Sequence, residues 1–159
     1  MKQIIRFTVG LLGRFGKVIP TSFTLCSVTR YTGTVGIGEP RGRILQTKEI
    51  NFLHGHWSDR INVVHYDKWA TGTDTPPTNM EWVVLCGTNG AQRVYLGVGD
   101  EAKNIATAHA GPLSQDNTLV INAGAIDERS AFACMEVITW NRALSDAEMV
   151  TLVFVLVVA

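Results

Sequence analysis

The chain has 159 residues, with 14 basic and 14 acidic side chains, a formal net charge of zero and a pI near 6.9. That length fits one domain able to bury roughly two-thirds of its unfolded surface, and the charge balance argues against electrostatic nucleic-acid binding as its main task. Charged residues make up only 18% of the chain, against roughly 25% in an average soluble domain, so part of the surface is expected to be covered.

The first stretch is basic. Residues 1–38 carry Lys2, Arg6, Arg14, Lys17 and Arg30 but no acid, as a targeting peptide would. Yet Ile4-Ile5-Arg6-Phe7-Thr8-Val9 is β-branched and reads as a strand, Arg6 interrupts any apolar signal core, and no small-residue cleavage site follows. Gly10, Gly13 and Gly16 then break the chain. Ser22 to Arg30 is a run of β-formers ended by a glycine-rich loop that lacks the Lys-Ser/Thr of a phosphate site. Arg41 to Gln46 predicts a short strand. Ile50 to Trp57 and Ile61 to Ala70 predict a hairpin around Ser58-Asp59-Arg60. After the proline-containing loop from Thr71 to Asn79, Met80 to Gly87 and Gln92 to Val98 predict a second hairpin with Asn89-Gly90 at its tip. Gly99 to Asn104 reads as a turn before a weak strand near Ile105, and Thr118 to Asn122 as a further strand.

The most informative stretch is 130–148. Its first eleven residues read as a strand with Phe132, Cys134, Glu136, Ile138 and Trp140 on one face and Ala131, Ala133, Met135, Val137 and Thr139 on the other. Both faces are largely apolar, which suits a central strand covered on both sides. Leu144 then offers an apolar plug, and Ser145-Asp146-Ala147-Glu148 has the spacing of a helix capping box. With nine or ten short strands and no internal repeat, the pattern predicts an all-β, two-sheet antiparallel jelly-roll sandwich with a short capped turn near the C-terminus.

The string Glu136-Val137-Ile138-Thr139-Trp140-Asn141-Arg142-Ala143-Leu144-Ser145-Asp146-Ala147-Glu148 resembles the close of the laminin-G-like and concanavalin-A-like lectin domains. Phe23-Thr24-Leu25 resembles their early strand, and Trp82-Val83-Val84-Leu85 with Val94-Tyr95-Leu96-Gly97 their central hairpin, so the likeness runs from about Pro20 to Glu148. It implies a non-catalytic module binding carbohydrate or a protein surface, commonly with calcium at one rim, in an extracellular or cell-surface setting. Two departures stand out. The chain before Pro20 is short, so a sheet edge is expected to be incomplete or supplied by a neighbour. Residues 149–159 are far more apolar than a usual domain end, too short to span a membrane, and are expected to pack on the sandwich or on a partner. The expected divisions are therefore 1–19, a basic segment with the first strand; 20–148, the sandwich; and 149–159, the tail. The alternative to a binding module is a structural subunit whose sandwich is a packing block in a larger assembly.

Candidate chemistry is sparse. Cys26, Cys86 and Cys134 form no C-x-x-C pair and read as small buried hydrophobes, with one cross-strand bridge left open in an oxidising compartment. His54 and His56 share one face of a predicted strand and His65 lies on the partner arm, so His54, His56, Trp57, His65 and Tyr66 are the expected ligand-binding face. Aromatic and hydrogen-bonding side chains together suit sugars, which present an apolar ring face edged by hydroxyls. Calcium would need loop oxygens, for which Asp100, Asn104 and Asp127 are the candidates, although no D-x-[DN]-x-[DN]-G loop occurs. The E-x-D-x-x-E carboxylate pattern of glucanases on this kind of sandwich is missing, as are G-x-S-x-G and a P-loop, so no enzyme is expected.

Overall fold

The computed structural model describes residues 2–6, 13–32, 41–73, 81–98 and 101–157. The strands are β1 (Lys2–Arg6), β2 (Gly13–Arg14), β3 (Thr24–Tyr31), β4 (Leu45–Thr47), β5 (Phe52–Trp57), β6 (Arg60–Tyr66), β7 (Val83–Thr88), β8 (Arg93–Val98), β9 (Glu101–Asn104), β10 (Leu119–Ile121) and β11 (Phe132–Trp140), followed by helix α1 (Asp146–Val157). They form a six-stranded sheet in the order β1-β11-β3-β7-β8-β9 and a five-stranded sheet in the order β2-β10-β4-β5-β6. All the pairings are antiparallel, and the molecule is a two-sheet jelly-roll sandwich.

The main core lies between the sheets. Phe23, Leu25, Phe52, Val64, Tyr66, Leu85, Leu119, Ile121, Phe132 and Val137 meet there. Each fully buried side chain of this size stabilises the fold by roughly 1.5–3 kcal/mol. A second apolar cluster covers the outer face of the six-stranded sheet, where Cys26, Val28, Val84, Cys86 and Ile138 lie under Leu144, Met149, Val153 and Leu156.

The closing strand is central as expected, flanked by β1 and β3. Its faces differ from simple alternation. The register passes from Cys134 opposite Thr29 to Glu136 opposite Val28, so Met135 is an extra, bulged residue. Beyond it the faces exchange: Phe132, Cys134 and Val137 belong to the inter-sheet core, whereas Ile138 and Trp140 lie on the helix side.

The capping box forms. The Ser145 amide donates to Glu148 Oε2 at 2.8 Å, and the Glu148 amide reaches Ser145 Oγ at 3.4 Å. The cap opens a 12-residue helix instead of the expected short turn. Met149, Val153 and Leu156 recur at helical spacing and seat it on the sheet. Leu144, 2% exposed, plugs the entry, its amide donating to Thr24 Oγ1 at 3.0 Å. Asp146 ties the first turn to β8, accepting from Arg93 Nε at 2.9 Å and from the Tyr95 hydroxyl at 2.7 Å.

The β7–β8 hairpin forms with Asn89-Gly90 at its tip, as expected. The strands stop at Thr88 and resume at Arg93, and Asn89 is a buried bracket whose Oδ1 accepts from the Phe23 amide while Nδ2 donates to the Thr21 and Gly111 carbonyls. Glu101–Asn104, read as a turn, is the edge strand β9. Cys26 and Cys86 face each other across β3 and β7 and are joined by a disulfide, leaving Cys134 as a buried free thiol whose pKa is pushed up to about 12 by burial. Among the described residues, no helix is long and apolar enough to cross a membrane.

Candidate functional site

The β5–β6 hairpin carries most of the expected ligand face. Ser58 and Asp59 make its two-residue turn, both with positive φ (49° and 68°), as a tight hairpin of this twist requires. Cross-strand register then decides which side chains reach the surface. Phe52 lies opposite Tyr66 and His54 opposite Val64, and all four are fully buried.

His54 sits against Tyr66 and against β7 of the other sheet. Its Nε2 is 3.3 Å from the Leu85 carbonyl oxygen, which can only accept, so Nε2 carries the proton and Nδ1 accepts from the Tyr66 hydroxyl at 2.7 Å. His56 is equally buried, with Nδ1 3.4 Å from Thr29 Oγ1 and its ring edge-on to Tyr31 at 4.7 Å. Burial holds both imidazoles in the neutral form, with pKa values lowered to about 4 for His54 and about 3 for His56. His54, His56 and Tyr66 therefore belong to the core and cannot contact a surface ligand. The expectation that His65 joins the histidine pair is also corrected, because His65 lies opposite Leu53 and takes the other face of the sheet.

On that outer face the structure gathers Trp57, His65 and Trp69. The rings of Trp57 and Trp69 are 5.6 Å apart, tilted by 50°, and His65 meets Trp69 edge-on at 4.8 Å. Trp69 is 37% exposed. Arg60, opposite Trp57 across the hairpin, holds its guanidinium 5.6 Å over the Trp57 ring. His65 is neutral at pH 7: partial desolvation lowers its pKa, against the raising effect of its bond to Asn51. Its Nδ1 donates to the Asn51 carbonyl at 3.0 Å, which leaves Nε2 as an acceptor.

A polar brace fixes this face from below. Arg43, only 6% exposed, donates from Nε to Glu128 Oε2 at 2.7 Å and from Nη1 to Asn51 Oδ1 at 2.6 Å and the Phe52 carbonyl at 3.2 Å. Glu128 Oε1 accepts from Trp57 Nε1 at 3.4 Å, and its carbonyl accepts from Gln46 Nε2 at 2.8 Å. A cavity of about 340 Å³ opens beside Trp57, lined by Arg41, Gly42, Ser58, Asp127, Glu128 and Arg129. Its floor depends on Gly42, whose amide donates to the Arg129 carbonyl at 2.8 Å and where a Cβ would stand 2.8 Å from that same oxygen.

The calcium candidates do not come together. Asn104 lies on β9 at the far edge of the other sheet, its Oδ1 accepting from the Val94 and Ala106 amides and its Nδ2 donating to the Gln92 carbonyl. Asp127 is exposed and pairs with Arg129 at 3.4 Å, while Asp100 lies outside the described residues. Among the described residues, no group of three or more His, Cys, Asp or Glu side chains could hold a metal ion. Sequence reasoning missed Trp69, Arg60 and the Arg43–Glu128 brace. The alternation Val64-His65-Tyr66 is the one local signal that His65 turns away from the core.

No family model matches the sequence, and none of the curated proteins does. Among solved structures, the chain is similar to Trypanosoma rangeli sialidase in complex with the inhibitor DANA, with 12% identity and a TM-score of 0.49 over 84% of this chain and 22% of that one. It is also similar to Trypanosoma rangeli sialidase in complex with sialic acid, with 16% identity and a TM-score of 0.44 over 84% of this chain and 23% of that one. The chain thus spans less than a quarter of the length of the structures it matches.

Proposed function

We propose that this protein is a non-catalytic recognition module, of the laminin-G-like and concanavalin-A-like lectin kind, that binds carbohydrate on the outer face of its five-stranded sheet. The observation that carries the reading is the outward convergence of Trp57, Trp69 and His65 beside a polar cavity. A pyranose ring offers an apolar face for a tryptophan and hydroxyls for fixed acceptors and donors. His65 Nε2 and the Asp127 and Arg129 side chains are set to meet them. The brace beneath holds the platform in place before the ligand arrives, which reduces the ordering cost of binding. Glycoside hydrolysis generally needs two carboxyls flanking one bond. Here Glu128 is tied to Arg43 and Trp57, and Asp127 pairs with Arg129, which supports binding over catalysis. The Cys26–Cys86 disulfide favours an extracellular setting.

The test is a glycan array with the purified protein, with calcium and again with chelator, alongside Trp69→Ala. Binding to a defined sugar class, unchanged by chelator and weakened about tenfold or more in the variant, is expected. That loss corresponds to roughly 1.4 kcal/mol of aromatic contact. Silence from folded, monodisperse protein, or equal binding by Trp69→Ala, would sink the proposal and favour the packing-block alternative.

A further inference from the structure

Strand β9 is an edge of the six-stranded sheet, and Glu101, Lys103 and Asn104 stand exposed on it. Just past its end the Ile105 amide donates to the Val94 carbonyl at 2.7 Å, which sets the phase of the β8–β9 ladder. Leu96 lies opposite Lys103 and Val98 opposite Glu101. Counting in steps of two from Ile105, Lys103 and Glu101 turn their backbone groups toward β8, and Ala102 between them turns its N–H and C=O away from the sheet. An edge left open in this way is a template for another strand.

The charges on this edge select the strand that fits it. Glu101 and Lys103 share one face of β9, beside Val98 and Leu96 around a common hollow. Among the described residues neither has an ion-pair partner. A lysine on an edge strand ordinarily discourages pairing. Here a glutamate sits two residues before it, so the strand is complementary in charge to its own reverse. From this complementarity we infer that β9 pairs antiparallel with β9 of a second copy of this chain, about a two-fold axis through Ala102. The two Ala102 residues exchange both backbone hydrogen bonds. Glu101 of each copy then stands directly opposite Lys103 of the other, in the closer, non-hydrogen-bonded kind of pair. Each ion pair lies between Val98 of one copy and Leu96 of the other, whose apolar side chains flank it. The pairing involves only four residues of each copy, which places it among weak, concentration-dependent contacts. Because the axis stands across the sheet, the tryptophan faces of both copies look the same way, giving two sites on one side of the dimer.

The test is sedimentation equilibrium of the whole protein at concentrations up to about 1 mM, where a monomer–dimer equilibrium that added salt weakens is expected. Glu101→Lys and Lys103→Glu, both at exposed positions, should each weaken it about tenfold or more, because each sets like charges opposite one another twice. The double exchange Glu101→Lys/Lys103→Glu restores both ion pairs and should return the wild-type affinity. An equal mixture of the two single variants should form a heterodimer. Hydrogen exchange should find the Ala102 amide open at low concentration and protected at high. A monomer throughout, single variants that dimerise as the wild type does, or a double exchange that stays monomeric would each overturn the inference. So would a dimer whose Ala102 amide still exchanges freely, because another surface then makes the contact. None of these outcomes depends on glycan binding, so the pairing and the tryptophan site stand or fall separately.

Discussion

Acidification from pH 7 to pH 4.5 is expected to remove a large part of the stability of this protein, and the loss traces to two side chains. Desolvation by burial is the leading cause that lowers the pKa of His54 from 6.5 to about 4 and of His56 to about 3. For His54 the bond to the Leu85 carbonyl opposes the shift; for His56 the neighbouring imidazole adds to it. The unfolded chain takes up both protons near pH 6.5 and the folded chain does not, so stability is complete above 6.5 and falls as the pH drops toward the folded values. One and a half units below 6.5, at about 1.4 kcal/mol per unit, each histidine has withdrawn about 2 kcal/mol by pH 5. Two such losses are a large part of the roughly 5–15 kcal/mol that holds a domain together. Urea unfolding at a series of pH values reads this directly: between pH 5.5 and 4.5 the stability of the wild type should fall by roughly 2–3 kcal/mol per pH unit. His56→Phe keeps a ring against Tyr31, which the imidazole meets at 4.7 Å, and should halve that slope. A flat profile in the wild type, or an undiminished slope in His56→Phe, would refute the assignment of these groups as buried and neutral.

Five further outcomes can be checked by urea unfolding, hydrogen exchange and glycan binding. Ser145→Ala should cost about 1 kcal/mol and expose the first helical amides to exchange, because it removes the cap. The neighbouring Glu148, held down to about 2 first by Arg142 and then by Ser145, should give up its contribution only as the pH falls from 4.5 through 2. Replacing Cys26 and Cys86 together by alanine should cost about 4 kcal/mol, since the bridge closes a loop with a sequence separation of 60, while Cys134→Ala should cost no more than a small cavity. Gly42→Ala should destabilise by on the order of 2 kcal/mol and weaken glycan binding, by forcing the Arg129 backbone away from residue 42 and the cavity floor. Asn62 holds φ at 66°, so Asn62→Gly should be tolerated and Asn62→Val should cost about 1–2 kcal/mol; equal stability of the two would contradict that backbone.

The features legible in the sequence are those whose partners lie close along the chain. The capping box is readable because Ser145 and Glu148 are three residues apart, and the plug because Leu144 immediately precedes them. The Ser58-Asp59 turn is readable for the same reason. Asn89 shows where local reading ends. The Asn-Gly dipeptide marks the hairpin tip, but nothing local reveals that the Asn89 side chain accepts from the Phe23 amide, 66 residues away. The disulfide is similar: Cys26 and Cys86 are ordinary apolar positions until the β3–β7 register places them opposite each other.

The tryptophan face is the harder case, because it depends on bulges. Register passes from Gly55 opposite Val63 to His56 opposite Ile61, so Asn62 is the extra residue in β6. Counting back from buried Val64 in steps of two would put Asn62 and then Arg60 in the core. Inserting one unpaired residue turns Ile61 inward against the core and delivers Arg60 to the outer face, over Trp57. The bulge at Met135 in the other sheet likewise turns an apolar side chain outward, 40% exposed. The candidate site thus lies beside a residue that breaks the two-residue period. A period-based reading is most accurate in the regular core and least accurate where a strand re-aims a side chain. His54 and His56 mislead for the complementary reason: their imidazoles are polar by type, yet neutral rings with partners across the sandwich pack as core.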